Sequence, residues 1–209
     1  RRESIELLRA ALSVEPSSES LTLRKEAIRI LVSICVSPLL PQEALDDVVC
    51  LSELAVATSA RWSNCDAREF RDLDALASGA MNQEAGEVVE LIFAASRVGT
   101  SGAESLDDAG KGRLSQWLDA TVSRTDMSAP AALFRLGAYL PRIIHVHPGW
   151  AVVNAPVLLE GGMSDPILHP TWAGYIATCH LYDSTFMVLR PWYLEDGGRF
   201  EWILRWEAG

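Results

Sequence analysis

Along most of the chain, apolar residues return every three or four positions, the spacing of one face of an α-helix. Ile5, Leu8 and Leu12 mark such a stripe within 2–14. Ile28, Leu31, Val32 and Cys35 mark the next within 20–36. Glu15-Pro16-Ser17-Ser18 separates the two, and Ser37-Pro38 stops the second. Pro41-Gln42-Glu43 opens a third helix with proline in its first turn and acids near the positive end of the helix dipole, followed by Leu45, Val48, Val49, Leu51, Leu54 and Ala55. Asp66-Ala67-Arg68-Glu69 has capping-box spacing and predicts a helix to about Met81, with Phe70, Leu73 and Leu76 inward. Val88, Val89, Leu91, Ile92 and Ala95 predict another over 83–98.

Gly99 to Asp107 is the longest loop-like stretch, rich in Gly, Ser and Asp. Beyond it, Ser105-Leu106-Asp107-Asp108 caps a helix that buries Leu114, Trp117, Leu118 and Val122. Ser128-Ala129-Pro130 starts the next, with Leu133, Leu136, Tyr139, Leu140, Ile143 and Ile144 and a proline, Pro141, inside. Asp183 caps a last helix with Phe186, Met187, Leu189 and Tyr193. In the tail, Phe200, Trp202, Leu204 and Trp206 alternate as in a strand, while Trp202, Ile203 and Trp206 fit a helical face. A short helix docking on the end of the array is the preferred reading. The pattern therefore predicts an all-α, irregular helical-hairpin array of α-solenoid type, with about ten helices and short, antiparallel connections. The 99–107 stretch suggests two parts, an N-terminal array over 1–98 and a Trp-rich subdomain over 105–209, if they are not one continuous domain.

Within this pattern one signature occurs twice. His147-Pro148-Gly149-Trp150-Ala151 is followed 22 residues later by His169-Pro170-Thr171-Trp172-Ala173, and Pro191-Trp192 comes after both. Proline suits the first position of a helix, where its missing N–H costs nothing, and it pushes the preceding residue into a cap-like conformation. Each copy thus reads as a helix start pinned by a tryptophan. The functional alternative is a ligand site built from His147, Trp150, His169 and Trp172.

Composition narrows the classes. Hydrophobic residues make up 49% of the 209, enough for a sizeable core. The net charge of −10 argues against binding a phosphate backbone, which needs clustered Lys and Arg; Arg24-Lys25 and the scattered arginines are too sparse. No apolar run reaches the roughly 18 residues of a membrane span. Cys35, Cys50, Cys65 and Cys179 form no C-x-x-C pair, so neither a zinc ribbon nor a redox motif is supported; a disulfide framework would be odd in a chain this size, which favours a reducing, cytoplasmic compartment. The start Arg1-Arg2-Glu3, without Met, is expected of a piece of a longer protein.

Candidate chemistry is thin. His145, His147 and His169, with His180 and Cys179 in the same third of the chain, are the residues a small metal-binding or enzymatic domain would use. Gly110-Lys111-Gly112 lacks the hydroxyl after the lysine and the strand before it that a phosphate loop requires. No nucleophile elbow, zinc-protease helix or dinucleotide fingerprint occurs, so neither catalytic residues nor a cofactor are expected. Five of the seven tryptophans, Trp150, Trp172, Trp192, Trp202 and Trp206, fall in the last third, as packing anchors or as an aromatic contact patch.

The order of features from Leu133 to Tyr193 is similar to a known pattern. A Leu- and Tyr-rich helix leads to His147-Pro148-Gly149-Trp150, then to the apolar run Val152 to Leu159, then to Trp172-Ala173-Gly174-Tyr175-Ile176 and the Leu189 to Tyr193 segment. This resembles the helical C-terminal regions, of the DUF4020 kind, of large bacterial proteins with a Sir2-like NAD-consuming domain, several of them in anti-phage defence. The resemblance covers about 60 of the residues and carries no catalytic position. It implies a non-catalytic arm that scaffolds, oligomerises, senses a phage component or restrains the effector; the expected partners are a protein, a second copy or other domains of the parent chain, while the charge and the short apolar runs argue against nucleic acid and membrane.

Overall fold

The structure, a computed structural model, describes residues 2–14, 18–59, 73–99, 106–122, 130–159, 170–178 and 183–194. These residues form ten α-helices and no strand: α1 Arg2–Ser13, α2 Ser18–Cys35, α3 Leu45–Thr58, α4 Leu73–Asn82, α5 Glu84–Ala95, α6 Asp108–Val122, α7 Pro130–Val146, α8 Pro148–Leu159, α9 Pro170–Thr178 and α10 Asp183–Leu194. The all-α helical array expected from the periodicity is what the chain builds. The capping box at 66–69 and the tail from Phe200 to Trp206 lie outside the described residues.

Local chemistry explains the helix ends. Pro41 does open the third helical segment, but its first turn, Gln42–Ala44, is a 3-10 turn that leads into α3. Asp107 precedes α6 and its Oδ1 accepts the Gly110 N–H at 2.7 Å, the side-chain cap that its acidic run predicts. Gln83 is the one residue between α4 and α5, in extended conformation (φ −94°, ψ 150°), so the two helices meet at a sharp corner. Gly86 makes the corner possible: a Cβ there would lie 1.8 Å from the Ala80 carbonyl oxygen.

Helix α7 is the hub. It packs against α4, α5, α8, α9 and α10, and its contact with α9 is the most extensive in the fold. Helix α2 crosses α5 as well as its chain neighbours α1 and α3, so spatial neighbours are often not sequence neighbours and the array is irregular. The buried apolar residues form one connected cluster from Ala11 in α1 to Leu189 in α10, passing through residues on both sides of the 99–107 stretch. No helix among the described residues is long and apolar enough to cross a membrane.

Candidate functional site

The two signature segments are helix entries. Pro148 and Pro170 are the first residues of α8 and α9. His147 acts as the cap of α8: its Nδ1 accepts the Trp150 N–H at 3.3 Å. That bond takes the Nδ1 lone pair, while Nε2 has no part in it. His145, in the last turn of α7, is exposed. His169, His180 and Cys179 lie outside the described residues. Among the described residues, no group of three metal-capable side chains comes together.

Trp150 and Trp172 are 5% and 4% exposed and belong to the continuous core. The Trp150 indole donates from Nε1 to Asp119 Oδ1 of α6 at 2.5 Å, tying α8 to α6. Trp172 meets Tyr175 edge-on, with centroids 5.7 Å apart. Both rings are thus placed for packing and neither offers a surface for a partner. Trp192 lies in α10, but its side chain, like Trp202 and Trp206, is outside the described residues.

The two copies differ in the contacts their glycines make. In α9 the residues after the tryptophan, Ala173-Gly174, let the helix press directly on α7. A Cβ at Gly174 would stand 1.8 Å from the Phe134 carbonyl oxygen, and one at Gly137 of α7 would stand 1.9 Å from the Thr171 carbonyl oxygen. Two glycines from opposite helices therefore bring the backbones into direct contact, as in close helix crossings built on small residues. The glycine in α8, Gly149, meets nothing within 4 Å of its would-be Cβ.

One polar cluster is buried between helices and a second lies at the edge of the apolar core. Arg24 of α2 is 1% exposed. Its Nη2 reaches Glu84 Oε1 at 2.7 Å and Thr58 Oγ1 at 3.1 Å, and its Nε donates to both Glu84 oxygens at 3.1 and 3.2 Å. Its Nη1 donates to the carbonyls of Leu12 and Val14 at the end of α1, and the Ser59 hydroxyl donates to Glu84 at 2.8 Å. One guanidinium thus satisfies the exposed carbonyl end of α1 while joining the end of α3 to the first turn of α5. The second cluster lies between α5 and α7. Tyr139 donates to Glu90 at 2.5 Å and stacks on Phe93 at 4.1 Å, and the Arg142 guanidinium lies over the Phe93 ring, 5.8 Å from its centroid. Burial, and then Glu90, raises the Tyr139 phenol above its ordinary value. Burial, and then repulsion from Arg97, lowers Arg142. Both carboxylates, Glu84 and Glu90, are satisfied by helix-to-helix partners, and the arrangement is that of structural ties.

What remains open is apolar surface. Helix α2 carries further apolar residues about a quarter-turn from its buried stripe: Leu23 is exposed, Ile30 is 50% exposed, and Ile34 is half-buried beside it. Glu26, Arg29, Ile30, Ser33, Ile34 and Ser37 line a shallow groove of about 480 Å³ there. Arg29 is anchored at its edge by Glu87 at 2.7 Å and Glu26 at 3.0 Å. Sequence reading assigned α2 a single buried face and missed this one; the signal was present in the i, i+7 pair Leu23 and Ile30. Helix α8 has no charged residue and exposes Val152, Val153 and Val157.

No family model matches the chain, and neither a curated protein nor a solved structure matches it.

Proposed function

We propose that this chain is a non-catalytic helical scaffold or sensor module of a multidomain bacterial protein, acting by protein–protein contacts. The observation that carries the reading is the outer face of α2. The apolar residues of α2 extend past the side that its own fold buries. Ile30 and Ile34 offer aliphatic anchors in a groove, Leu23 adds an exposed apolar side chain on the same helix, and the Arg29–Glu87 pair supplies a fixed polar rim. That is the arrangement by which a groove receives an amphipathic helix. The occupant belongs to another domain of the parent chain or to a second copy. The similarity of residues 133–193 to the helical arms of Sir2-associated defence proteins supports a role in anti-phage defence, and a chain of a size that needs no disulfide framework supports a cytoplasmic one.

The test uses the parent protein. The rest of the parent chain, expressed separately, should bind the 209-residue chain, and Ile30→Asp should abolish that binding while the helical circular dichroism stays unchanged. Binding that survives Ile30→Asp together with Leu23→Asp would rule out the α2 face as the contact surface.

A further inference from the structure

The seam between α5 and α7 is unevenly charged along its length. Glu90 meets Arg135 and Tyr139, Phe93 meets Tyr139 and Arg142, and Arg97 follows one turn beyond Phe93, in the turn that closes α5. The carboxylate of Glu90 stands at one end, bonded to Tyr139 at 2.5 Å and 3.6 Å from Arg135. The other end brings together the guanidinium groups of Arg97 and Arg142.

Arg142 is the member whose partners are incomplete. It is half-buried, and its guanidinium lies over the Phe93 ring. A ring contact supports the charge but takes up none of the N–H donors. Among the described residues none of those donors makes a hydrogen bond, and no carboxylate lies within ion-pair distance of them; Glu90, across the seam, is engaged by Tyr139 and Arg135. Burial, and then Arg97, act against the Arg142 charge, and Glu90 supports it less than either opposes it. The carbonyl end of α5 would itself attract a cation, but Arg113 already meets it: its Nη2 donates to the Val98 carbonyl at 2.9 Å and to the Ser96 carbonyl at 3.4 Å. A half-buried charge is costly to hold without an anion beside it. In a chain of net charge −10, where carboxylates outnumber cations, this one stands beside a second guanidinium instead.

We propose that the Arg97–Arg142 end of the α5–α7 seam binds a phosphate group, either free or carried as a monoester on a small molecule. A phosphate presents oxygens to two guanidinium forks at once and brings more charge than one carboxylate does. One such site does not need the clustered Lys and Arg of a nucleic-acid surface. The proposal does not rest on the α2 groove, whose lining residues belong to α2 and the turn after it.

Titration calorimetry of the full 209-residue chain with inorganic phosphate, in chloride buffer at constant ionic strength, tests it. Phosphate should bind at a single site, and Arg142→Gln should weaken it at least about tenfold. Arg97→Gln should weaken it in the same direction, whereas Arg9→Gln, at an exposed arginine of α1, should leave it unchanged. Helical circular dichroism separates a lost site from a lost fold, and Arg97→Gln carries the test alone if Arg142→Gln does not fold. Glycerol phosphate binding more tightly than inorganic phosphate would assign the group to a larger ligand; weaker binding would assign the site to free phosphate. Absence of phosphate binding would overturn the proposal. So would binding that survives both Arg142→Gln and Arg97→Gln, or acetate binding as tightly as phosphate, which would mark a plain cationic surface.

Discussion

Gly174→Ala tests the α7–α9 crossing, the contact on which the second signature helix depends. The added Cβ would stand 1.8 Å from the Phe134 carbonyl oxygen and close to that residue's carbonyl carbon as well. Carbon and oxygen settle at roughly 3.3–3.6 Å in such helix contacts. The helices must therefore part by about 1.5 Å, and neither side can yield as a flexible side chain would, because the obstacle is backbone. Parting them loosens the packing of Trp172, Tyr175, Phe134 and Leu136, all buried along or beside the seam. Overpacking a core costs about 1–3 kcal/mol and more where nothing can move, while alanine regains up to about 1 kcal/mol of helix propensity. A net loss of about 2–3 kcal/mol follows, or a fall of roughly 5–10 °C in Tm for a chain of this size. Urea denaturation followed by helical circular dichroism gives the midpoint shift at constant slope. Gly112→Ala is the control, since a Cβ there meets nothing within 4 Å; it should be neutral or stabilising. If Gly174→Ala were as stable as the unmodified chain within about 0.5 kcal/mol, the close backbone crossing would be refuted.

The other ties carry predictions of their own. Arg24→Met leaves Glu84 facing an apolar junction and should cost about 3–5 kcal/mol, with Arg24→Met, Glu84→Gln costing clearly less than the sum of the single changes; additive losses in the denaturation cycle would show that the pair is not coupled. Trp150→Phe keeps most of the ring but drops the bond to exposed Asp119, for a loss of about 1 kcal/mol, whereas Trp150→Ala should cost about 3–5 kcal/mol; no loss in Trp150→Phe would mean the indole N–H is idle. Tyr139 contributes to pH dependence with a definite sign. Its folded value lies above the unfolded one of about 10, because burial and Glu90 disfavour the phenolate. The folded state therefore keeps a proton that the unfolded state gives up, and this contribution is complete below about pH 10 and lost as pH rises further. Tyr139→Phe should flatten the alkaline fall in stability, and an unchanged fall would remove Tyr139 as its source.

The elements were legible in the sequence because their signals are local. Three- and four-residue apolar spacing marks the helices, and proline after histidine marks the entries to α8 and α9. The Nδ1 bond of His147 is the physical form of that entry. The parts that could not be read rest on pairs far apart in the chain. Arg24 looked like one of a few scattered surface cations, yet it is among the most buried side chains, because its partners Thr58 and Glu84, and Ser59 behind them, arrive from other helices. The role of Gly137 and Gly174 was equally hidden: a helical glycine reads as weak helix propensity until the facing backbone is known. The irregular neighbour order, with α2 on α5 and α7 at the hub, comes from these long-range contacts and not from any local period. The doubled signature, read as two tryptophan-pinned helix starts, is built that way at Trp150 and Trp172. Its likeness to a ligand site came from the side chains alone, without the cap and the core that occupy them.

The central claim is that this module acts through surface contacts and not through chemistry of its own. Sedimentation velocity of the chain, alone and mixed with the rest of the longer protein proposed for it, tests that claim most directly. The account predicts a faster-moving complex that is lost with Ile30→Asp while the chain itself stays folded. A chain that sediments as a monomer at every concentration, alone and in the mixture, would contradict it.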